Sequence, residues 1–178
     1  MKKSKGGLFT YTTSIEPQTT IAEITENLAN HGARAVMSNY TNDGKIEALS
    51  FQIATPEGRV MSIKLPCNPQ PVFEVLKKQY SEGKISRSFV EEHQALRVAW
   101  RIVKYWVEAQ MALLETQMVK MEQIFLPYAI VKNGRTLFEA MKENKYTLLD
   151  AKIETGTSKV YLFSFMASNK VLPFLTMA

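Results

Sequence analysis

Apolar and polar positions along this chain follow two rhythms, and the change from one to the other divides it. In the first third, short runs with a period of two are separated by turn residues. Residues 8–15, Leu-Phe-Thr-Tyr-Thr-Thr-Ser-Ile, are β-branched and aromatic and read as a first strand ended by Pro17. A short amphipathic helix comes next. Thr19 or Thr20 can cap it, with Glu23 three residues beyond Thr20 completing a capping box; Ile21, Ile24 and Leu28 fall at helical spacing, and Gly32 supplies a stop. Three more strand-like runs follow, Ala33 to Tyr40, Ile46 to Ala54 and Arg59 to Leu65. They are divided by Thr41-Asn42-Asp43-Gly44 and Thr55-Pro56-Glu57-Gly58, whose Gly residues accept positive φ. The pattern predicts an antiparallel meander. Leu49, Phe51 and Ile53 alternate with Ser50, Gln52 and Ala54, and Met61, Ile63 and Leu65 alternate with Val60, Ser62 and Lys64. One face is therefore expected to pack on helices, and the small, polar face to stay open.

After Pro66 the period lengthens. Pro69 and Pro71 precede a short helix from Val72 to Tyr80 that closes near Gly83, and residues 84–88 form a polar link. From Phe89 to Val119 there is neither Gly nor Pro, which predicts one long helix. Leu96, Trp100, Val103, Val107, Met111 and Leu114 form its apolar stripe, and Arg97, Arg101 and Lys104 a basic row on an adjoining face. Met121 to Ile130 reads as a further helix interrupted at Pro127, Asn133-Gly134 as a turn, and Arg135 to Glu143 as a last short helix. Residues 155–178 are weakly charged and too interrupted by Asn169, Lys170 and Pro173 to span a bilayer. They are expected to form an added strand or a tail.

The expected class is thus α+β: a small antiparallel sheet of about four strands packed on helices, followed by a long helix and a helical C-terminal region. Residues 1–7 read as a flexible basic arm rather than a secretory signal, and 8–150 as a single domain. Within that domain, 8–66 hold the sheet with one early helix and 69–145 are helical; 151–178 carry the extra strand or tail.

Composition narrows the function classes. At 178 residues, with 46% hydrophobic and 22% charged side chains, the chain is long enough to bury a core. Net charge is +5 and the pI about 9.2, which favours polyanionic partners mildly. Residues 1–90 hold 11 Lys and Arg against 8 Asp and Glu, and 91–178 hold 11 against 9, so neither half is a basic tail. A single cysteine, Cys67, forms no internal disulfide and points to a reducing, cytoplasmic setting. Phosphate-binding glycine loops, the dinucleotide fingerprint and the Gly-x-Ser-x-Gly elbow are absent from the sequence. His31 and His93 have no partner at metal-ligand spacing. Cys67 reads as a small packing residue rather than a nucleophile. Glu91, Glu92 and Glu108 read as solvated helix charges rather than Mg²⁺ ligands. No catalytic residue, cofactor or metal is expected.

Binding chemistry is expected on the sheet. Single-strand binders combine cations with aromatic rings on which bases stack, at about 1–3 kcal/mol per base. Tyr11 and Tyr40 are the candidate rings. Arg34, Lys45, Arg59 and Lys64 lie along or beside the strands as phosphate contacts, and Gln52, with Ser50 and Ser62, offers hydrogen bonds. Trp100, Tyr105, Trp106 and Met111 form a bulky band on the long helix that reads either as core or as a homo-oligomer interface. The stretch from Val98 to Glu115, the following Glu122-Gln123-Ile124-Phe125-Leu126-Pro127-Tyr128, the upstream His31-Gly32-Ala33-Arg34-Ala35-Val36 and the spacing of Phe51, Gly58 and Leu65-Pro66 together resemble, over about residues 10–145, a group of phage and prophage proteins. The order of strands then helix is similar to that of the whirly/PC4-like single-stranded DNA binders. That likeness implies a curved antiparallel sheet contacting single-stranded DNA or RNA without sequence preference, in the cytoplasm of a host cell. The alternative is a phage interaction module that inhibits a host defence or replication protein. Neither involves a membrane.

Overall fold

The computed structural model describes residues 6–147 apart from Asp43 and Lys45. They lie in the first of the chain's two units, Met1–Thr147. The order of elements is α1 (Pro17–Asn30), β1 (Ala35–Tyr40), β2 (Ile46–Ala54), β3 (Val60–Lys64), α2 (Pro69–Ser81), α3 (Glu92–Glu115), α4 (Met121–Phe125) and α5 (Leu137–Glu143). Single 3-10 turns stand at Arg87–Phe89, Leu126–Tyr128 and Lys132–Gly134. The class is α+β, as the two rhythms predict. No helix among the described residues is long and apolar enough to cross a membrane.

The three described strands form an antiparallel sheet in the order β1-β2-β3. Ala35 lies opposite Gln52 and Met37 opposite Ser50, while Ser50 also faces Lys64 and Gln52 faces Ser62. Because Ala48 meets Asn39 but Ile46 meets Tyr40, Glu47 is an extra residue. This bulge resets the alternation, so that Ile46 joins the core while Glu47 stays exposed. The hairpin turn at Thr55–Arg59 closes through Thr55 N–H to Arg59 C=O, 2.8 Å, with Gly58 at φ 77°.

Residues 8–15 do not form the expected strand, so the described sheet has three strands rather than about four. The segment folds into turns, with Tyr11 N–H on Leu8 C=O and Thr13 N–H on Thr10 C=O, both 2.9 Å. The Gln94 side-chain amide of α3 donates to the carbonyls of Tyr11 and Thr13, each at 2.8 Å, and Gln79 of α2 accepts from Leu8 N–H at 2.9 Å. Helix side chains thus satisfy backbone groups that a neighbouring strand would otherwise take. The other expected added strand, 155–178, lies outside the described residues. Pro17, read as a strand terminator, instead opens α1 at its first turn, where its fixed φ suits a helix. Thr20 and Glu23 therefore sit inside the helix and make no capping box.

The core lies between one sheet face and the α1–α3 layer. Ile24 and Leu28 of α1, Leu49, Phe51 and Ile53 of β2, Ile63 of β3, and Trp100, Val107 and Met111 of α3 are all at most 2% exposed. Phe125 closes one end, edge-on to Phe51 at 5.0 Å and to Trp106 at 5.6 Å. The other side of α3 packs on α2, where Leu76, Ile85, Val90 and Ala95 form a second cluster. The long helix ends at Glu115 rather than Val119. Gln117 takes φ 57°, and Met118 N–H returns to Leu113 C=O, a left-handed cap built without glycine. At α1 the expected Gly32, φ 91°, does the same job.

His31, at the end of α1, ties it to α3. Its ring contacts the Asn27 carbonyl through Nδ1 at 2.7 Å and Glu115 through Nε2 at 3.1 Å. Hydrogen bonding to the Asn27 carbonyl, with Glu115 adding charge, raises its pKa above the usual 6.5 despite partial burial. The folded state then binds the proton more tightly than the unfolded chain. The stabilisation is present in full below the unfolded value and is lost as pH rises through the folded one. Urea midpoints are expected to fall between pH 5.5 and pH 8, and Glu115→Gln to shrink that fall. An unchanged difference in the variant would remove the Glu115 contribution.

Candidate functional site

The solvent side of the sheet is small and mostly neutral. Ser50 and Ala48 are each only 6% exposed, Gln52 is half-buried, and Met37 and Val60 stand 46% and 54% exposed at the two flanks. The Gln52 amide donates to Ser62 Oγ at 3.4 Å, so it is already engaged within the face. Of the strand residues paired in register on this face, Lys64 alone is charged and none is aromatic. Lys64 lies near the Glu139 carboxylate, whose pKa is lowered first by the Thr136 backbone and hydroxyl and then by Lys64 and Arg135.

The expected nucleic-acid residues do not converge. Tyr11 lies in the second cluster, edge-on to Phe89 at 5.2 Å, because residues 8–15 fold against α2 and α3 instead of joining the sheet. Tyr40 ends β1 opposite Ile46, 60% exposed. Arg34, exposed, immediately precedes β1 and gives its N–H to Gln52 C=O at 2.8 Å. Arg59 is exposed in the β2–β3 turn. Lys45 lies outside the described residues. The structure thus brings Gln52 and Lys64 to one face, sets Arg34 and Tyr40 at opposite ends of β1, and separates Tyr11 from all four.

The aromatic band on α3 divides in the same way. Trp100 and Met111, 0% and 2% exposed, are core and present nothing to a partner. Trp106 is half-buried against Phe125 and Tyr128. Tyr105 keeps 39% exposure, with Phe9 5.3 Å from its ring. The three basic residues of α3 are consumed inside the fold. Arg97 pairs with Glu16, Arg101 reaches Glu23 at 2.5 Å and Thr20 at 3.4 Å, and Lys104 bonds Glu108 at 2.6 Å and Glu23 at 3.5 Å. Lys104 and Arg101 also lie over the Tyr105 ring, at 4.8 and 5.3 Å. The Glu108 carboxylate, opposing partial burial and helped by Glu23, raises the Lys104 pKa. Arg101 is only 7% exposed, so this clasp joins α1 to α3 rather than offering cations to phosphate.

A cavity of about 680 Å³ opens beside the core, lined by Glu16, Ile46, Cys67, His93, Leu96 and Trp100 among others. Burial pushes the Cys67 thiol up to about 12, so it stays protonated at neutral pH and is a poor nucleophile. His93 contacts Glu16 at 3.0 Å. The Trp100 indole N–H has no hydrogen-bond partner among the described residues. Nor do the described residues group three or more His, Cys, Asp or Glu side chains in a way that could hold a metal.

The edge of the sheet carries a feature that sequence reasoning missed. Beyond β3, Ile130 N–H bonds Ser62 C=O at 2.7 Å and Ala129 bridges Ile63, so the chain itself pairs with the middle of that edge. At the other edge, no described strand pairs with the outer side of β1. Its residues, Ala-Val-Met-Ser-Asn-Tyr, include no charge and no proline. The neutral run is visible in the sequence, but its edge position is not, because residues 8–15 read as the strand that would lie nearby.

Comparison with protein-family models, with curated proteins and with solved structures finds no match to this chain. The functional case therefore rests on the residues themselves. Tyr11→Ala should cost about 2 kcal/mol of stability by emptying part of a packed cluster, and Tyr40→Ala less than about 0.5 kcal/mol. Urea unfolding of both variants at low protein concentration measures the contrast, and equal small losses would place Tyr11 outside any core.

Proposed function

We propose that this chain is a non-catalytic protein-interaction module that works through its sheet layer. The observation that carries the proposal is the outer edge of β1, an uncharged strand whose outward backbone groups lack a described partner. Exposed edges of this kind are templates for pairing, and proteins that keep them unpaired usually guard them with Lys, Pro or short length. Here the guard is absent along Ala35–Tyr40, and addition of a strand from another chain satisfies the edge by backbone bonding.

The distribution of charge supports a protein partner over a polyanion. The described residues carry 15 Lys and Arg against 14 Asp and Glu. Most of the chain's positive excess thus comes from Lys2, Lys3 and Lys5 and from residues after Thr147. The basic row of α3 is ion-paired. Stacking platforms for a single strand need rings and free cations on one surface, and Tyr11 and Tyr40 are apart.

Titration of a labelled single-stranded oligonucleotide at low and at physiological salt tests this against nucleic-acid binding. The expected result is no saturable complex with the steep salt dependence of phosphate contacts. A tight complex that weakens steeply with added salt would overturn the proposal.

A further inference from the structure

We infer that the partner at the β1 edge is a second copy of this chain, paired antiparallel across a twofold axis at Met37. This rests on the interaction-module reading and names its partner. Val36 and Ser38 lie on the core side, Ala35, Met37 and Asn39 on the solvent side, following their partners on β2. With a twofold axis perpendicular to the sheet, each face continues into the same face of the other copy, and directly opposed residues share a face. Opposed residues must then both be odd-numbered or both even-numbered, so the axis passes through a residue and not between two.

Axes at Met37 and at Ser38 each pair five β1 residues, and Met37 is preferred because it also brings Arg34, just before the strand, to Tyr40 of the other copy. It sets Met37 against its own equivalent, Val36 against Ser38, Ala35 against Asn39, and Arg34 of each copy against Tyr40 of the other. Met37 is 46% and Tyr40 60% exposed, and Arg34 is exposed too, so each has surface to bury. The guanidinium–ring pairing occurs twice, once at each end of the joined strands, and places no like charges opposite each other. Arg34 and Tyr40 thereby gain a shared role that neither has within one copy. The product is a six-stranded sheet whose two outer edges are each already bridged at mid-strand by Ala129 and Ile130.

The test uses the full chain. Size-exclusion chromatography with light scattering is expected to show a dimer at micromolar concentration. Met37→Lys, which brings two like charges together at the axis, is expected to weaken it by about tenfold or more. Because a variant can lose its fold, a second measurement uses milder changes. In a Cys67→Ser background, Met37→Cys should cross-link copy to copy with a short bis-maleimide. Val60→Cys, on the same face but more than roughly 24 Å from its equivalent, the five strand spacings alone, should not. A monomer at all concentrations with native circular dichroism, or a dimer in which Met37→Cys fails to cross-link, would overturn the self-pairing. Salt-steep binding of the oligonucleotide by that same monomer would remove the interaction-module reading as well. A monomer indifferent to oligonucleotide would remove the self-pairing alone.

Discussion

Helix α3 has to satisfy two layers at once, and the rest of the fold depends on how it does so. One side, through Trp100, Val107 and Met111, fills the space over Leu49, Phe51 and Ile53 of the central strand. The other side meets α2, and Ala95 there joins a separate apolar cluster. Burial of apolar area contributes roughly 25 cal/mol per Å², so these large, fully enclosed side chains dominate the favourable balance. With both sides committed, α3 has little surface left for a partner. Its remaining polar side chains are turned to internal use: Gln94 holds the turn at residues 11–13, and Arg101 and Lys104 hold α1. The proposed association is placed on the sheet for that reason.

The parts of this arrangement set by local chemistry were legible in the sequence. Period-two alternation and the two Gly-containing turns identified β1 to β3, and the Gly- and Pro-free run identified α3. Pro127 marked the break after α4. Parts set by distant contacts were not legible. Residues 8–15 have strand-like composition, but Gln94 lies about eighty positions away and competes for their carbonyls through tertiary structure. Glu16 and Glu23 neutralise Arg97 and Arg101 across similar separations. A basic row seen on a helix thus becomes an internal clasp with no sequence spacing to announce it.

The candidate site changed for the same reason. Arg34, Tyr40, Gln52 and Lys64 were identified by type, and they do lie on or beside the sheet. What sequence could not supply was strand order. Without a strand from residues 8–15, and with Ala129 and Ile130 beside β3, β1 becomes the edge that no other described strand covers. A neutral run that looks ordinary inside a sheet is, at its border, the feature on which the proposed pairing rests. The Glu47 bulge shapes the same region by turning Ile46 into the core at the end of β1.

Amide hydrogen exchange followed by mass spectrometry, at protein concentrations below and above self-association, tests the central claim most directly. The account predicts that protection in peptides covering residues 34–41 rises with concentration, while peptides covering 60–65, already capped within the chain, stay unchanged. Protection over 34–41 that does not respond to concentration, with β3 or α3 responding in its place, would contradict it.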